Sequence, residues 1–354
     1  MISTYHGRRL SLRNMAGAGA AGVLLFFAAS VAQAQEAAVY QGADRQQRLL
    51  DGAKKEGELM IYSSTPADDM AALTAAFEKK YGSKVKLWRS GSDKVLQRVV
   101  TEGRARRFEV DIVEADGSNL EALQRESLLQ EVKSPHLADL LPQAIPPHRE
   151  WVGARVNIFA LAYNTNLIKK EELPKTYQDL LNPKWKGKLG IEAEDADWFA
   201  GVVGELGEAK GLKLFRDIVA SNGISVRKGH TLLANLVASG EVPLALTVHN
   251  FKAEQLKRNG APLDWFVIAP AIAQLNGVGV ARHAPHPNAA VLFYDFLLSE
   301  AQSILLKHDY LPTSRNVSTP LSKLPLRFMD HKVVLDQNDK WSKLYEEIIT
   351  KQSK

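Results

Sequence analysis

The densest chemistry in the 354-residue sequence is Glu192-Ala-Glu194-Asp195-Ala-Asp197-Trp198, four carboxylates and an indole within seven positions. Carboxylates attract cations, and an indole face does so through its π cloud. The stretch reads as a wall for a cationic or hydroxylated ligand, or as an acid-rich helix start favoured by the helix dipole. Thr247-Val-His249-Asn250-Phe251 offers an imidazole, an amide and a phenyl ring that can hydrogen-bond and stack. A buried, satisfied His is the competing reading there. Three further short segments carry small polar groups: Ser63-Ser64-Thr65-Pro66, Ser90-Gly91-Ser92 and Asp116-Gly117-Ser118-Asn119. Hydroxyls beside free N–H groups at helix starts suit an anion or the polar edge of a ligand, or serve only as helix caps.

Catalytic signatures are missing. The chain has no His-Glu-x-x-His, no Gly-x-Ser-x-Gly and no phosphate-binding loop of the Walker kind. Gly277-Val-Gly279 lacks the third Gly and the helix start of a dinucleotide site. His283-Ala-Pro-His286 has metal-ligand residue types, but Pro285 and Pro287 make it a surface turn. With Cys at 0, disulfides, thiolate metal sites and Cys nucleophiles are excluded. The expectation is therefore a protein that is not an enzyme, with no cofactor and no metal.

Residues 1–34 contain Arg8, Arg9 and Arg13, no acid, and an apolar stretch around Val23-Leu24-Leu25-Phe26-Phe27. Ala32-Gln33-Ala34 then fits the small-x-small rule, so a signal peptide cleaved after Ala34 is expected, with a soluble periplasmic product. Its three Arg taken from the 45 Lys+Arg leave 42 against 40 Asp+Glu, a net charge of +2. That excess is too small for a nucleic-acid partner, which needs a clustered basic face.

Alternating strand-like and helical segments must position these residues. Leu59–Ser63, Val85–Trp88 and Val110–Val113 read as strands, and Asp68–Tyr81, Ser92–Glu102 and Ser118–Glu126 as the helices between them. The second half continues with strands over Phe159–Tyr163, Leu189–Ile191, Val242–Thr247 and Gly277–Val280. Its helices are expected over Thr176–Leu181, Trp198–Glu205, Gly211–Ala220, His230–Ser239, Phe251–Asn259 and Asn288–Leu298. Strand–helix alternation predicts parallel α/β sheets, and such sheets bind ligands beyond the strand C-termini.

Taken in order, several of these segments resemble a known family. They are Ile61-Tyr62-Ser63, Gly91-Ser92, Val110-Asp111-Ile112-Val113, Ala162-Tyr163-Asn164-Thr165, Pro183-Lys-Trp185-Lys-Gly187-Lys-Leu-Gly190, Gly240-Glu-Val-Pro-Leu-Ala245 and Phe296-Leu297-Leu298-Ser299. The chain resembles the periplasmic solute-binding proteins of ABC importers, in the two-lobed group that includes the ferric-iron-binding proteins. The resemblance implies an α/β, type II two-lobed architecture with the ligand cleft between the lobes, closing by a hinge. Lobe 1 would comprise residues 35–155 and 275–312, and lobe 2 residues 156–274 and 313–354. The partners it implies are a small-molecule ligand and the permease subunits at the inner membrane, with the protein a monomer.

Ferric-binding relatives present a His in the first loop, an acid after the third strand and two adjacent Tyr. Here those positions fall beside Pro66, on Asp116, and on Asn250 and Phe251; the anion-holding Arg positions fall on Asn157, two residues from Arg155, and on Phe159. Asn and Phe supply no anionic oxygen, so a small organic solute, anionic or zwitterionic, is the expected cargo. A ferric ion in an atypical site is the alternative. A hydrolase or transferase, or a ligand-presenting sensory protein, is the alternative of another class. The expected ligand-binding residues are Ser63, Ser64, Thr65, Ser92, Asp116, Arg155, Asn157, Glu194, Asp197, Trp198, His249, Asn250 and Phe251.

Overall fold

The computed structural model describes residues 36–319 and 324–352. The leader and its cleavage after Ala34 lie outside them. The chain opens with α1 (Arg45–Glu56), β1 (Glu58–Ser63), α2 (Ala67–Tyr81), β2 (Lys84–Arg89), α3 (Ser92–Arg104), β3 (Ile112–Asp116), α4 (Gly117–Arg125) and β4 (Leu129–Gln130). α2 buries Met70, Leu73 and Phe77, spaced to form one stripe. Next come β5 (Val152–Asn164), β6 (Leu189–Glu192), α5 (Ala196–Leu206), α6 (Glu208–Asn222), β7 (Ser225–Arg227), α7 (His230–Ser239), β8 (Leu244–His249), α8 (Asn250–Arg258) and β9 (Leu263–Phe266). The last part holds β10 (Ala271–Ala281), α9 (Pro287–Leu298), α10 (Ala301–Lys307), β11 (Leu311–Pro312), β12 (Leu326–Phe328), α11 (His331–Asp336) and α12 (Asn338–Tyr345).

The strands form one curled sheet in the order β2-β1-β3-β10-β5-β8-β6-β7. β1, β2 and β3 are mutually parallel, as are β6, β7 and β8. The two long antiparallel strands β5 and β10 join these sets. β5 pairs with β10 over Val152–Ile158, then with β8 and β9 from Phe159 onward. All of its positions are buried, which suits a strand covered on both faces. At Gly277 of β10 any Cβ would stand 2.5 Å from the Val152 carbonyl oxygen, so the crossing requires glycine.

Packing follows the same division. One core gathers side chains from Ala38 through Ile158 and again from Ala271 through Leu311, with α9 buried at every position but Asn288. A second gathers Phe159 through Ile272 with Trp341, Tyr345, Ile348 and Ile349. A smaller cluster sits under α7 and α8. The two cores meet where β5 passes from pairing with β10 to pairing with β8. The C-terminal segment touches both: α11 packs on α4 and α12 on α5, and Arg125 bonds Asp336 at 2.5 Å.

Three local expectations change. Residues Tyr177–Leu181 form a 3-10 turn capped by Thr176, too short to wind an α-helix before Pro183. β8 begins at Leu244 and runs on to His249, so Thr247 and His249 lie within the strand. Pro243 has no N–H for the ladder, and its carbonyl instead accepts from Asn164 at 2.9 Å. β3 likewise extends to Asp116, which caps α4 directly.

Candidate functional site

The C-terminal ends of β1, β2 and β3 form one wall of the cleft, those of β6, β7 and β8 the other, and β5 and β10 the floor between. On the first wall, Ser63 and Thr65 are fully buried and turn away from solvent onto Glu114. The Ser63 hydroxyl donates to the Glu114 carboxylate, and the Thr65 hydroxyl does so at 2.7 Å. Ser64 is only partly buried, and its Oγ accepts from Asn276 Nδ2 at 3.2 Å. Glu114 also takes the Arg155 guanidinium at 2.6 Å, in a pair almost wholly removed from water. Arg155 therefore spends its charge on Glu114 and rests 4.7 Å over the Tyr310 ring.

Asn157 on β5 and Gln274 on β10 face each other in register, as do Arg155 and Asn276. The spacing of two puts all four on one face of the sheet. The Asn157 and Asn276 carbonyl oxygens are buried there without partners.

Asp116 caps α4, its carboxylate accepting from Asn119 N at 3.0 Å and from Ser118 Oγ at 3.2 Å. The Ser92 hydroxyl accepts from Asp116 N at 3.3 Å. The single Asn119 side-chain amide serves both Asp116, at 3.0 Å, and Asp93, at 3.1 Å. Crowding by protein, with the charges of Asp116 and Glu194, pushes the Asp93 carboxyl above its usual range. On the second wall Asp197 is pushed up to about 8 by burial and by the charges of Asp195 and Asp116. Carboxylates from the two walls thus act on one another across the cleft. Glu194 is exposed and holds Lys228 at 2.6 Å.

Below this wall lies a buried polar layer. The Glu192 carboxylate accepts from Gly229 N at 2.7 Å and from Glu194 N. Its own N–H donates to Thr247 Oγ1 at 3.1 Å. His230 Nε2 lies 3.3 Å from Asp195. Burial alone would lower the His230 pKa, but the Asp195 charge and hydrogen bond, with the Glu192 charge, hold it up to about 9. His249 stacks on His230, and burial, His230 and Arg155 hold its pKa well below 6.5.

Three expected ligand residues serve the cores. Trp198 lies edge-on to Tyr177 and Phe215 at 6.0 and 5.7 Å, inside the second core. Its apolar ring sits one residue beyond the polar turn, on the inner face of α5. Phe251 stacks on Tyr310 at 4.3 Å within the first core. Asn250 Oδ1 accepts from Ile158 N at 2.9 Å, pinning β5 where the packing passes between cores. Of the other expected residues, Ser64, Ser92, Asp116, Glu194, Asp197 and His249 lie at or just beyond the ends of β1, β2, β3, β6 and β8, and Arg155 and Asn157 on β5. Glu114, Asn276, His230, Tyr310 and His331 were missed. His331 reaches from α11 to the start of α4, where a Cβ on Gly117 would stand 2.6 Å from its ring. No local pattern marks Glu114 or His331. His230 could have been found from its place beside Gly229 at a helix start.

The family profile described as bacterial extracellular solute-binding protein matches residues 110–329. Iron uptake protein A1 of Synechocystis sp. is 28% identical over 302 residues, covering 80% of this chain and 83% of that protein. The Fe(3+)-binding periplasmic protein of Serratia marcescens is 24% identical over 263 residues, covering 72% and 77%. Iron-bound HitA from Pseudomonas aeruginosa superposes with a TM-score of 0.73 at 22% identity, over 82% of this chain and 99% of that one. AfuA from Actinobacillus pleuropneumoniae with fructose-6-phosphate gives 0.72 at 23%, over 83% and 99%. The likeness to these two structures is one of fold.

Proposed function

The chain belongs to the bacterial extracellular solute-binding protein family, and from that premise we infer that its cargo is a small organic zwitterion, its ammonium group seated among carboxylates of both walls. The protein is the substrate-binding component of an ABC importer. Its task is capture and delivery. It works in the periplasm as a monomer, after removal of the leader at Ala34. The lobes comprise residues 35–155 and 275–312, and 156–274 with 313–354, the C-terminal segment also touching the first through α11. They close by a hinge near Ile158 and present the loaded form to the permease.

The observation that carries this reading is the pair Asp93 and Asp116, both bound by the Asn119 amide at the first wall, with Asp197 and the Glu194–Lys228 pair on the second; Glu194 helps to raise the Asp93 pKa and Asp116 that of Asp197. The charges of Asp195 and Asp116 help to keep the Asp197 carboxyl protonated at neutral pH, and a ligand that favours the closed state must offset the cost of ionising it. A cation between them does so. In the polar band of Asn157, Gln274 and Asn276, with Ser64, the carbonyl oxygens of Asn157 and Asn276 can accept from the ligand's ammonium or hydroxyl groups. A purely anionic solute such as a sugar phosphate is less well served, because Arg155 is already neutralised by Glu114.

The same carboxylates favour one further reading, a ferric ion, which the names of the iron-uptake relatives also support. Its site would lack phenolates, since the positions of the paired Tyr hold Asn250 and Phe251, both engaged elsewhere. Calorimetric titration of the stripped exported form against α-amino acids and other zwitterions, with small-angle scattering to read closure, tests the proposal. Heat and compaction with an amine-bearing zwitterion support it. A response to ferric citrate or phosphate esters alone refutes it.

A further inference from the structure

The cleft carboxylates leave unused a second group beneath the wall of lobe 2. We propose that Glu192, Asp195 and His230 form a binding site for one divalent transition-metal ion of the zinc class. This does not rest on the identity of the cleft ligand.

One ligand atom from each of these residues lies within 4.8 Å of the others. They come from three neighbouring points: the end of β6, the turn before α5 and the first residue of α7. A tetrahedral zinc ion with bonds of about 2.0–2.1 Å holds its ligand atoms about 3.4 Å apart. The 3.3 Å between His230 Nε2 and Asp195 Oδ1 already has that separation.

Two observations point to a missing partner. Asp195 is 4% exposed, yet its Oδ2 is buried with no hydrogen-bond partner among the described residues. His249, 9% exposed, is stacked on His230 with its Nδ1 also buried and unpartnered. Buried polar atoms are nearly always satisfied, so such orphans call for a ligand. Charge agrees. Glu192 and Asp195 bring two negative charges out of water, and one imidazolium offsets only one of them. A divalent ion bound by neutral imidazole balances both.

The surroundings are those of an oriented site. Backbone N–H groups of Gly229 and Glu194 hold the Glu192 carboxylate, and Thr247 and Tyr345 fix its backbone. Outer contacts of this kind set ligand geometry in metal sites. One nitrogen and two carboxylate oxygens suit a borderline ion such as zinc. The fourth position is left to water or to His249.

The test uses the full exported chain, stripped with a chelator and titrated with zinc alone by calorimetry and native mass spectrometry. One zinc per chain is expected, with affinity reduced more than about tenfold in Asp195→Asn and His230→Gln. X-ray absorption of zinc-loaded wild type is expected to show one or more imidazole nitrogens among oxygens, which keeps the test decisive should either variant fail to fold. Failure of folded wild type to bind zinc would overturn the proposal and leave the cluster a buried ion pair. An absorption shell without imidazole would also overturn it, as would binding lost in Asp116→Asn but kept in His230→Gln, since the metal would then lie in the cleft.

Discussion

The imidazole of His249 lies 3.8 Å from that of His230, centroid to centroid, with 35° between the ring planes. The pair opens a ladder that continues from His249 to Phe251 at 5.7 Å and on to Tyr310 at 4.3 Å. Phe251 and Tyr310 belong to the first core, whereas His230 begins a helix of the second lobe. The stack therefore runs from one lobe to the other beneath the cleft, with Arg155 over its far end. Moving the lobes must shear it, which couples the state of the hinge to the rings under the ligand.

His249→Ala removes the rung where the ladder crosses. Ligand affinity is expected to fall by about tenfold, or about 1.4 kcal/mol, while circular dichroism still reports a folded chain. Calorimetry with the cargo released from native protein measures it. Unchanged affinity would take the ladder out of the binding event.

Asp116→Ala and Asp197→Ala each remove one side of the carboxylate meeting. Both are expected to weaken binding of an amine-bearing solute by more than about tenfold, since truncating one partner of a buried charge pair costs about 2–5 kcal/mol. Neither side chain is a core packing element. Small-angle scattering of unliganded Asp116→Ala should show easier closure than wild type above about pH 8, where Asp197 ionises.

Glu114 and Arg155 form a pair 1% and 4% exposed at their side chains. Glu114→Gln leaves Arg155 buried without its counter-charge, and Ser63 and Thr65 without their acceptor anion. A loss of about 3–5 kcal/mol in urea unfolding is expected. A loss below about 1 kcal/mol would mean the pair behaves as an exposed one.

How much of this was legible beforehand depends on whether the signal is local. β1, α2, α3 and α9 follow from apolar periodicity, whereas of the small polar residues at the exit of β1, Ser63 and Thr65 turn onto Glu114. α1 was missed because its stripe is only Leu49 and Ala53 beside a buried Arg45. Trp198 looked like a wall residue because it follows four carboxylates, yet helical geometry turns it inward. Arg155 looked available to an anion because Glu114, distant in sequence, is brought to it only by the pairing of β3 with β10 and of β10 with β5. Opposing charges and stacked rings across two lobes are products of topology, and no window of sequence contains them.

His331 gives the pH dependence a definite sign. Burial lowers its pKa from 6.5, against the charges of Asp116, Asp330 and Glu121, and neither ring nitrogen has a partner among the described residues. A depressed His contributes stability that is full above its unfolded value and lost as the pH falls through the folded one. The His331 contribution to stability should therefore decline from pH 7 toward pH 5. In His331→Phe the urea midpoint should change less over that range, with no loss at pH 7, because an apolar ring leaves no buried nitrogen unsatisfied. An unaltered slope would place the acid sensitivity in other groups.

The central claim is that a cation-bearing organic solute sits between carboxylates of the two walls. Native mass spectrometry of the protein recovered from its own periplasm, without refolding, tests it most directly. The expected spectrum shows the chain with one retained small organic molecule that carries an amine, and loss of that adduct in Asp116→Ala. Retention of a ferric ion, or of a phosphate ester without an amine, would contradict it.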